Sequence, residues 1–237
     1  GNSSGIASDS GNWSVSGTDG DGIPDADDAI VLDGGTSTAN MTWDVDNALG
    51  TSGSAGTGLS DTVASWTQNS AYTGTVTFQT TYSEFDTDSM VMTVTGNVDL
   101  DGGVWTHTKN TRGYSHSDPN DEYRLRLNVG GNFDLASAAD IDLRSTGYLK
   151  ANPTFNGGAS HGGRASGGKA AYGSVFDPVL HGMGSGTSGG SNPQDGGGSL
   201  YLTVDGASTL DGDITAGALA GGTYTRAAAG GSIYIRS

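Results

Sequence analysis

Glycine fills 42 of the 237 positions and follows no three-residue period, so collagen is excluded, and order requires that the loops carrying these glycines be packed. Only 33% of the chain is hydrophobic. That is too little for the average helix to carry a continuous apolar stripe, which excludes an ordinary helical bundle and disfavours a doubly wound nucleotide-binding enzyme. Low hydrophobicity and a net charge of −16 also favour disorder. Against disorder stand 4 Trp, 9 Tyr and 5 Phe, together with many β-branched residues in alternating runs.

Those runs lie at Ala29 to Leu32, Thr75 to Phe78, Met90 to Val94, Val98 to Leu100, Val104 to Thr106, Tyr123 to Val129, Phe133 to Leu135, Ile141 to Leu143, Leu200 to Val204 and Ile233 to Ile235. Their side chains alternate between two faces, as in half-buried strands. In the longest, Tyr123, Leu125, Leu127 and Val129 share one face, and Arg124 and Arg126 the other. A longish strand, a Gly or Asn turn, a three-residue strand, a second turn and another short strand is the rhythm of a parallel β-helix. The sequence therefore predicts an all-β chain, a β-helix solenoid with an N-terminal cap and first coils over residues 1–88 and further coils over 89–237. A β-sandwich is the alternative for residues 1–90, where the rhythm is poorest.

Between Asn156 and Gly198 the chain turns Gly/Ser/Ala-rich, which alone reads as a flexible linker. Tyr172, Phe176, Pro178 and Pro193 are not needed in a spacer. The tract 156–198 therefore reads as an ordered excursion folded back on the coils, with Gly supplying positive φ and close backbone approach.

The 26 acids against 10 bases argue against nucleic-acid binding, which needs a basic footprint. Of the acids, 24 are Asp and only Glu84 and Glu122 are Glu. Asp is the turn-forming carboxylate that ligates hard cations from loops. With no Cys, this composition predicts a bacterial extracellular or cell-surface protein. No apolar run approaches the ~20 residues of a membrane span, and no signal peptide is present. A start at Gly1 reads as a processed product or an excerpt.

Two stretches resemble Gly-rich right-handed parallel β-helix modules of bacterial cell-surface and autotransporter-like proteins. One is Gly22-Ile23-Pro24-Asp25-Ala26-Asp27-Asp28-Ala29-Ile30-Val31-Leu32-Asp33-Gly34 followed by Met41-Thr42-Trp43-Asp44-Val45-Asp46, with Tyr72-Thr73-Gly74-Thr75-Val76. The other joins His161-Gly162-Gly163-Arg164, Tyr172-Gly173-Ser174, Pro178 and Gly182-Met183-Gly184-Ser185-Gly186 to Gly196-Gly197-Gly198-Ser199-Leu200 and Gly230-Gly231-Ser232-Ile233-Tyr234-Ile235. The resemblance implies an extracellular right-handed β-helix within a larger surface protein and carries over no catalytic residue.

Asp19-Gly20-Asp21-Gly22-Ile23-Pro24-Asp25-Ala26-Asp27-Asp28 is similar to the calcium loop of thrombospondin type 3 repeats. That implies Ca²⁺ held by Asp19, Asp21, Asp25 and Asp28, one ligand short because Gly17 stands in place of the first Asp. The other reading is a cap whose Asp residues make Asx turns.

Enzymatic chemistry on a β-helix would need paired carboxylates and a base. Asp99, Asp101, Asp134, Asp140 and Asp142 lie on or beside predicted strands, with Asp134 and Asp142 expected on one solvent face. Arg124, Arg126 and Arg144 would be the basic supply; Arg124 and Arg126, on the outward face of their strand, are more simply read as outer-face ion-pair partners. His107, His116, His161 and His181 show no metal spacing, and His161 and His181 read as hydrogen-bonding to backbone carbonyls. Trp13, Trp43, Trp66 and Trp105 read as packing residues, or as a sugar platform if exposed.

The sequence thus predicts a non-catalytic extracellular structural or adhesive β-helix. It self-associates head-to-tail into a fibre or surface layer, or continues into more chain, because Gly231 to Ser237 ends on a strand-like run without a polar cap. The alternatives are a polysaccharide lyase or hydrolase of β-helix fold, and an adhesion domain whose partner is an extracellular glycan.

Overall fold

Val98-Asp99-Leu100 shows how the sequence makes its strands. The two apolar side chains are buried, the aspartate between them faces outward, and a glycine-containing turn closes each side. In the computed structural model, which describes residues 5–14, 16, 22–35, 38–44, 61–82, 91–111, 122–149, 161, 176, 178–185, 194–219 and 228–237, this pattern recurs throughout.

The strands are β1 (Ala29–Leu32), β2 (Met41–Trp43), β3 (Thr62–Val63), β4 (Ser65–Gln68), β5 (Thr75–Phe78) and β6 (Thr81–Tyr82). Next come β7 (Met92–Val94), β8 (Val98–Leu100), β9 (Gly103–His107), β10 (Glu122–Tyr123), β11 (Leu125–Val129) and β12 (Phe133–Leu135). The last are β13 (Ala139–Asp142), β14 (Ser199–Val204), β15 (Ser208–Leu210), β16 (Asp213–Thr215) and β17 (Ser232–Arg236). Among the described residues the only helical element is the 3₁₀ turn Ser10–Asn12.

Fifteen of the strands form three five-stranded sheets, ordered β1-β4-β8-β12-β15, β17-β14-β11-β7-β3 and β16-β13-β9-β5-β2. Every pairing within them is parallel. Consecutive strands of these sheets therefore enter different sheets, and each strand pairs with strands that lie several elements away in the sequence. The antiparallel sandwich weighed for residues 1–90 is not formed, because β1 to β5 lie in these same parallel sheets. Among the described residues the one antiparallel pair, β6 with β10, forms a separate two-stranded ribbon.

Register places like on like. Val63, Val94, Val129 and Val204 stand in one line across the second sheet, and Met92, Leu127, Leu202 and Ile235 in the next. Ile30, Trp66, Val98 and Phe133 line up in the first sheet, and Met41, Val76, Trp105, Ile141 and Ile214 in the third. Most of these side chains are buried, each contributing about 1.5–3 kcal/mol relative to exposure. A one-residue slip would turn each run to solvent, which pins the register.

An aromatic column runs through the core. Trp43 and Trp66 pack edge-to-face with centroids 5.0 Å apart, and Trp66 and Trp105 at 5.4 Å. Phe78 and Phe133 extend it, and Trp13 abuts Trp43 at 6.2 Å. Gln68 is the polar member of an otherwise apolar position. Its Oε1 accepts both indole N–H groups of Trp66 and Trp105, and its Nε2 donates to the Gly102 carbonyl at 2.8 Å.

The corner between the second and first sheets is built by Gly-Asn pairs. Asn97 Oδ1 accepts the Asn132 N–H at 2.9 Å. A Cβ on Gly131 would sit 2.3 Å from that oxygen, and one on Gly206 would sit 2.5 Å from the Asn132 Oδ1. Glycine there makes room for the carboxamide of the neighbouring turn.

The long alternating run from Tyr123 is not one strand. Tyr123 belongs to the antiparallel ribbon, and its N–H donates to Asn110 Oδ1 at 2.8 Å. The break turns Arg124 inward, where it is 2% exposed; Arg126 stays on the outer face against Tyr201. The expected shared outer face of the two arginines is therefore corrected.

Candidate functional site

Asp25 and Asp28 precede β1 in a self-bonded turn. Asp25 Oδ1 accepts the Asp27 N–H at 3.0 Å, and Asp28 Oδ2 accepts the Asp25 N–H at 2.9 Å. The first is an Asx bond and the second reaches three residues back, and each uses one carboxylate oxygen, so the other could face a cation. Asp19 and Asp21 lie outside the described residues. Among those described, no group of three acids or histidines is gathered for a metal.

The outer-face aspartates separate into two sets. Asp99 and Asp134 are register partners in the first sheet, with Thr67 and Thr209 continuing the line. Partial burial, then Asp134 and Asp101, push the Asp99 carboxyl up from its ordinary value. Asp140 and Asp142 are on β13 in the third sheet, so Asp134 and Asp142 do not share a face. Arg144 donates to both Asp142 oxygens, at 2.9 and 2.5 Å. This bidentate bond holds the Asp142 carboxyl below the usual range and gives Arg144 an ion-pair role.

Trp43, Trp66 and Trp105 are buried, and Trp13 packs against Trp43. They pack as the sequence predicts, and the platform alternative does not apply to the three buried rings. The aromatic feature on the outer face is instead a ladder in the second sheet. Tyr201 and Tyr234 are register partners with centroids 4.6 Å apart and planes 11° apart, and Arg126 lies 5.6 Å over Tyr201. Arg126 and Tyr234 flank Tyr201 on its two sides in register. The ladder thus turns ring edges to solvent and reads as inter-strand stacking.

Sequence reasoning missed the densest polar assembly, because its parts are scattered along the chain. His107 ends β9 wholly buried; its Nδ1 donates to the Thr108 carbonyl at 2.8 Å and its Nε2 accepts the Ser199 N–H at 3.3 Å. That pattern specifies the neutral Nδ1–H form. Burial, with a smaller push from Arg124, lowers its pKa to about 4. His181, also enclosed, lies 3.2 Å from Asn110 Nδ2, with ring centroids 5.4 Å from His107 and 5.3 Å from Tyr148. Burial, then Arg124 and the other histidines, drive its pKa well below the ordinary value, against a Tyr123 backbone hydrogen bond. Arg124 donates to the Val179 carbonyl and, at 2.7 Å, to Glu122, which also accepts the Tyr148 hydroxyl at 3.0 Å.

This node fastens a layer of glycine backbone. Gly182 N–H donates to the Gly197 carbonyl, Gly147 N–H to Gly196, Tyr148 N–H to Gly182 and Gly197 N–H to Ala229. A Cβ on Gly197 would lie 1.8 Å from the Ala216 carbonyl oxygen, and one on Gly198 would lie 2.3 Å from His107 Nε2. The described glycines of the tract, Gly182, Gly196, Gly197 and Gly198, make the close backbone approach expected, while most of 156–198, with Tyr172 and Pro193, lies outside the described residues. The described glycines of positive φ, at 5, 22, 34 and 103, lie elsewhere.

No protein-family model, no curated protein and no solved structure matches the chain.

Proposed function

We propose that the three parallel sheets are the walls of one right-handed β-helix, and that the chain acts as a non-catalytic structural or adhesive rod outside the cell. The observation that carries this reading is the continuity of register. The corner bond from Asn97 spans 35 residues, and the next, from Asn132, spans 75. A long insertion enters between β13 and β14 without disturbing the ladders. A stack that absorbs such an insertion is suited to length and persistence. Parallel connections of this kind are right-handed as a rule.

In this reading β17 and β15 are open edges, with Ile233 and Leu210 each 41% exposed. A further coil completes them by strand addition, from more chain or from a second copy head-to-tail. Calcium bound by Asp19, Asp21, Asp25 and Asp28 would fasten the segment leading into β1. Equilibrium sedimentation from micromolar to near-millimolar protein tests the self-association. Growth in mass with concentration supports the head-to-tail rod, and a constant monomer mass removes it.

A second reading, a polysaccharide hydrolase or lyase, is favoured by Asp99 beside Asp134, since a carboxyl of raised pKa next to another carboxylate can hold a proton for a leaving group. Incubation with a polysaccharide panel separates the readings. New reducing ends or unsaturated uronates would establish catalysis, whereas retention on a glycan without turnover would support adhesion.

A further inference from the structure

Two histidines enclosed beside an arginine form an arrangement that acid works against. His107 and His181 have no side-chain exposure to spare for a hydrated charge: they are 1% and 0% exposed. His107 Nε2 faces the Ser199 N–H at 3.3 Å and the Thr146 hydroxyl at 3.1 Å. A proton there would set two N–H donors against each other, with the Thr146 oxygen, whose own hydrogen goes to the Leu143 carbonyl, as the acceptor beside it. The charged and titratable groups around the pair are Arg124, Glu122 and Tyr148, with His161 behind His181 and the Lys109–Asp195 ion pair beside the glycine layer. Glu122 is the carboxylate nearest His181, at 3.9 Å, and it is engaged by Arg124 and by the Tyr148 hydroxyl. Protonating both histidines would place three positive charges against that one carboxylate.

The same residues hold the glycine-rich segments 178–185 and 194–198 in place. The Val179 carbonyl accepts from both Arg124 and the Ser199 hydroxyl, and the Leu180 carbonyl accepts from Ser232 at 2.7 Å. Beyond these bonds the segments are joined mainly backbone to backbone, and their apolar side chains Pro178, Val179, Leu180 and Met183 are only partly buried and lie outside the main core. Local opening of such a layer is cheaper than separating the in-register sheets.

We propose that this node is an acid-operated latch, in which protons taken up by His107 and His181 beside Arg124 part segments 178–185 and 194–198 from the sheets while the strands stay stacked. The closed form keeps both rings neutral, and the opened form admits water and takes the protons. Opening exposes backbone N–H and C=O groups that are otherwise paired, giving the chain an acid-dependent interaction surface. The inference does not depend on the function proposed above.

Amide hydrogen exchange of the whole chain between pH 7 and pH 5, corrected for intrinsic rates, tests it. The protection of Gly182, Gly197 and Gly198 should fall at least tenfold, while Val98 and Phe133 in β8 and β12 change less than twofold. A smaller fall in the glycine layer, or an equal fall in both regions, would overturn the latch. Proton NMR of the imidazole rings gives a check that needs no variant. Below pH 6.5 the rings should gain protons only as the glycine amides lose protection. Ordinary histidine titration with the layer still protected would also overturn it. Replacing both histidines (His107→Asn with His181→Asn) should leave a folded variant's layer protection independent of pH over this range; a pH-dependent loss as large as in the original chain would contradict the assignment.

Discussion

Asn97 Oδ1 accepts the backbone N–H of Asn132 at 2.9 Å, and Asn132 in turn accepts from the Ala207 N–H at 3.0 Å. Each of these turns is thus tied by an asparagine side chain from the turn that precedes it in the sequence. Asn132→Ala removes an acceptor and leaves the Ala207 N–H dependent on water. Its cost should be about 1 kcal/mol, read as a lower urea midpoint at unchanged slope. Asn132→Asp keeps the acceptor and should cost less.

Gln68 holds two indole donors in the core. Gln68→Leu strands both, and each buried unsatisfied donor costs about 1–3 kcal/mol. The variant should lose stability by more than the Asn132 substitution, in urea unfolding followed by tryptophan fluorescence. An unchanged midpoint would show that the indoles find other partners.

His107 gives the stability a pH slope of definite sign. Its folded pKa, about 4, lies below the ordinary 6.5, so the unfolded chain binds the extra proton between those values. Stability is therefore full above about pH 6.5 and falls as the pH drops toward 4, by about 3 kcal/mol for this ring. Urea unfolding at pH 7.5, 5.5 and 4.5 measures it, and His107→Asn should flatten the slope.

Calcium has a direct readout. If Asp19, Asp21, Asp25 and Asp28 ligate it, EDTA lowers the melting temperature, Ca²⁺ restores it, and Asp25→Ala with Asp28→Ala abolishes the response. A melting temperature indifferent to chelation would leave the turn bonds of Asp25 and Asp28 as their whole role.

The strands with strong alternation were legible in the sequence to within a residue or two: β1, β5, β8, β12 and β14 all lie where the apolar residues repeat with period two. Ser208–Leu210 and Asp213–Thr215 were not, since three mostly polar residues become strands only by pairing with β12 and β13. A usable signal was present in the repeated phrase Val94-Thr95-Gly96-Asn97-Val98-Asp99-Leu100, Val129-Gly130-Gly131-Asn132-Phe133-Asp134-Leu135 and Val204-Asp205-Gly206-Ala207-Ser208-Thr209-Leu210. Aligning those phrases sets the register of two sheets and points to the missed strand. The inward turn of Arg124 was not legible, because period two alone assigns it to the outer face. The histidine node was hidden for a different reason: His107, Glu122, Tyr148 and His181 lie far apart in the sequence and meet only in the folded chain.

Proton NMR of the methyl groups tests the stacked-circuit account most directly. The account predicts cross-peaks from Val94 to Val129 and from Val129 to Val204, as their parallel register requires. A hairpin pattern instead, with β11 running antiparallel to β12 and Leu127 facing Leu135, would contradict it.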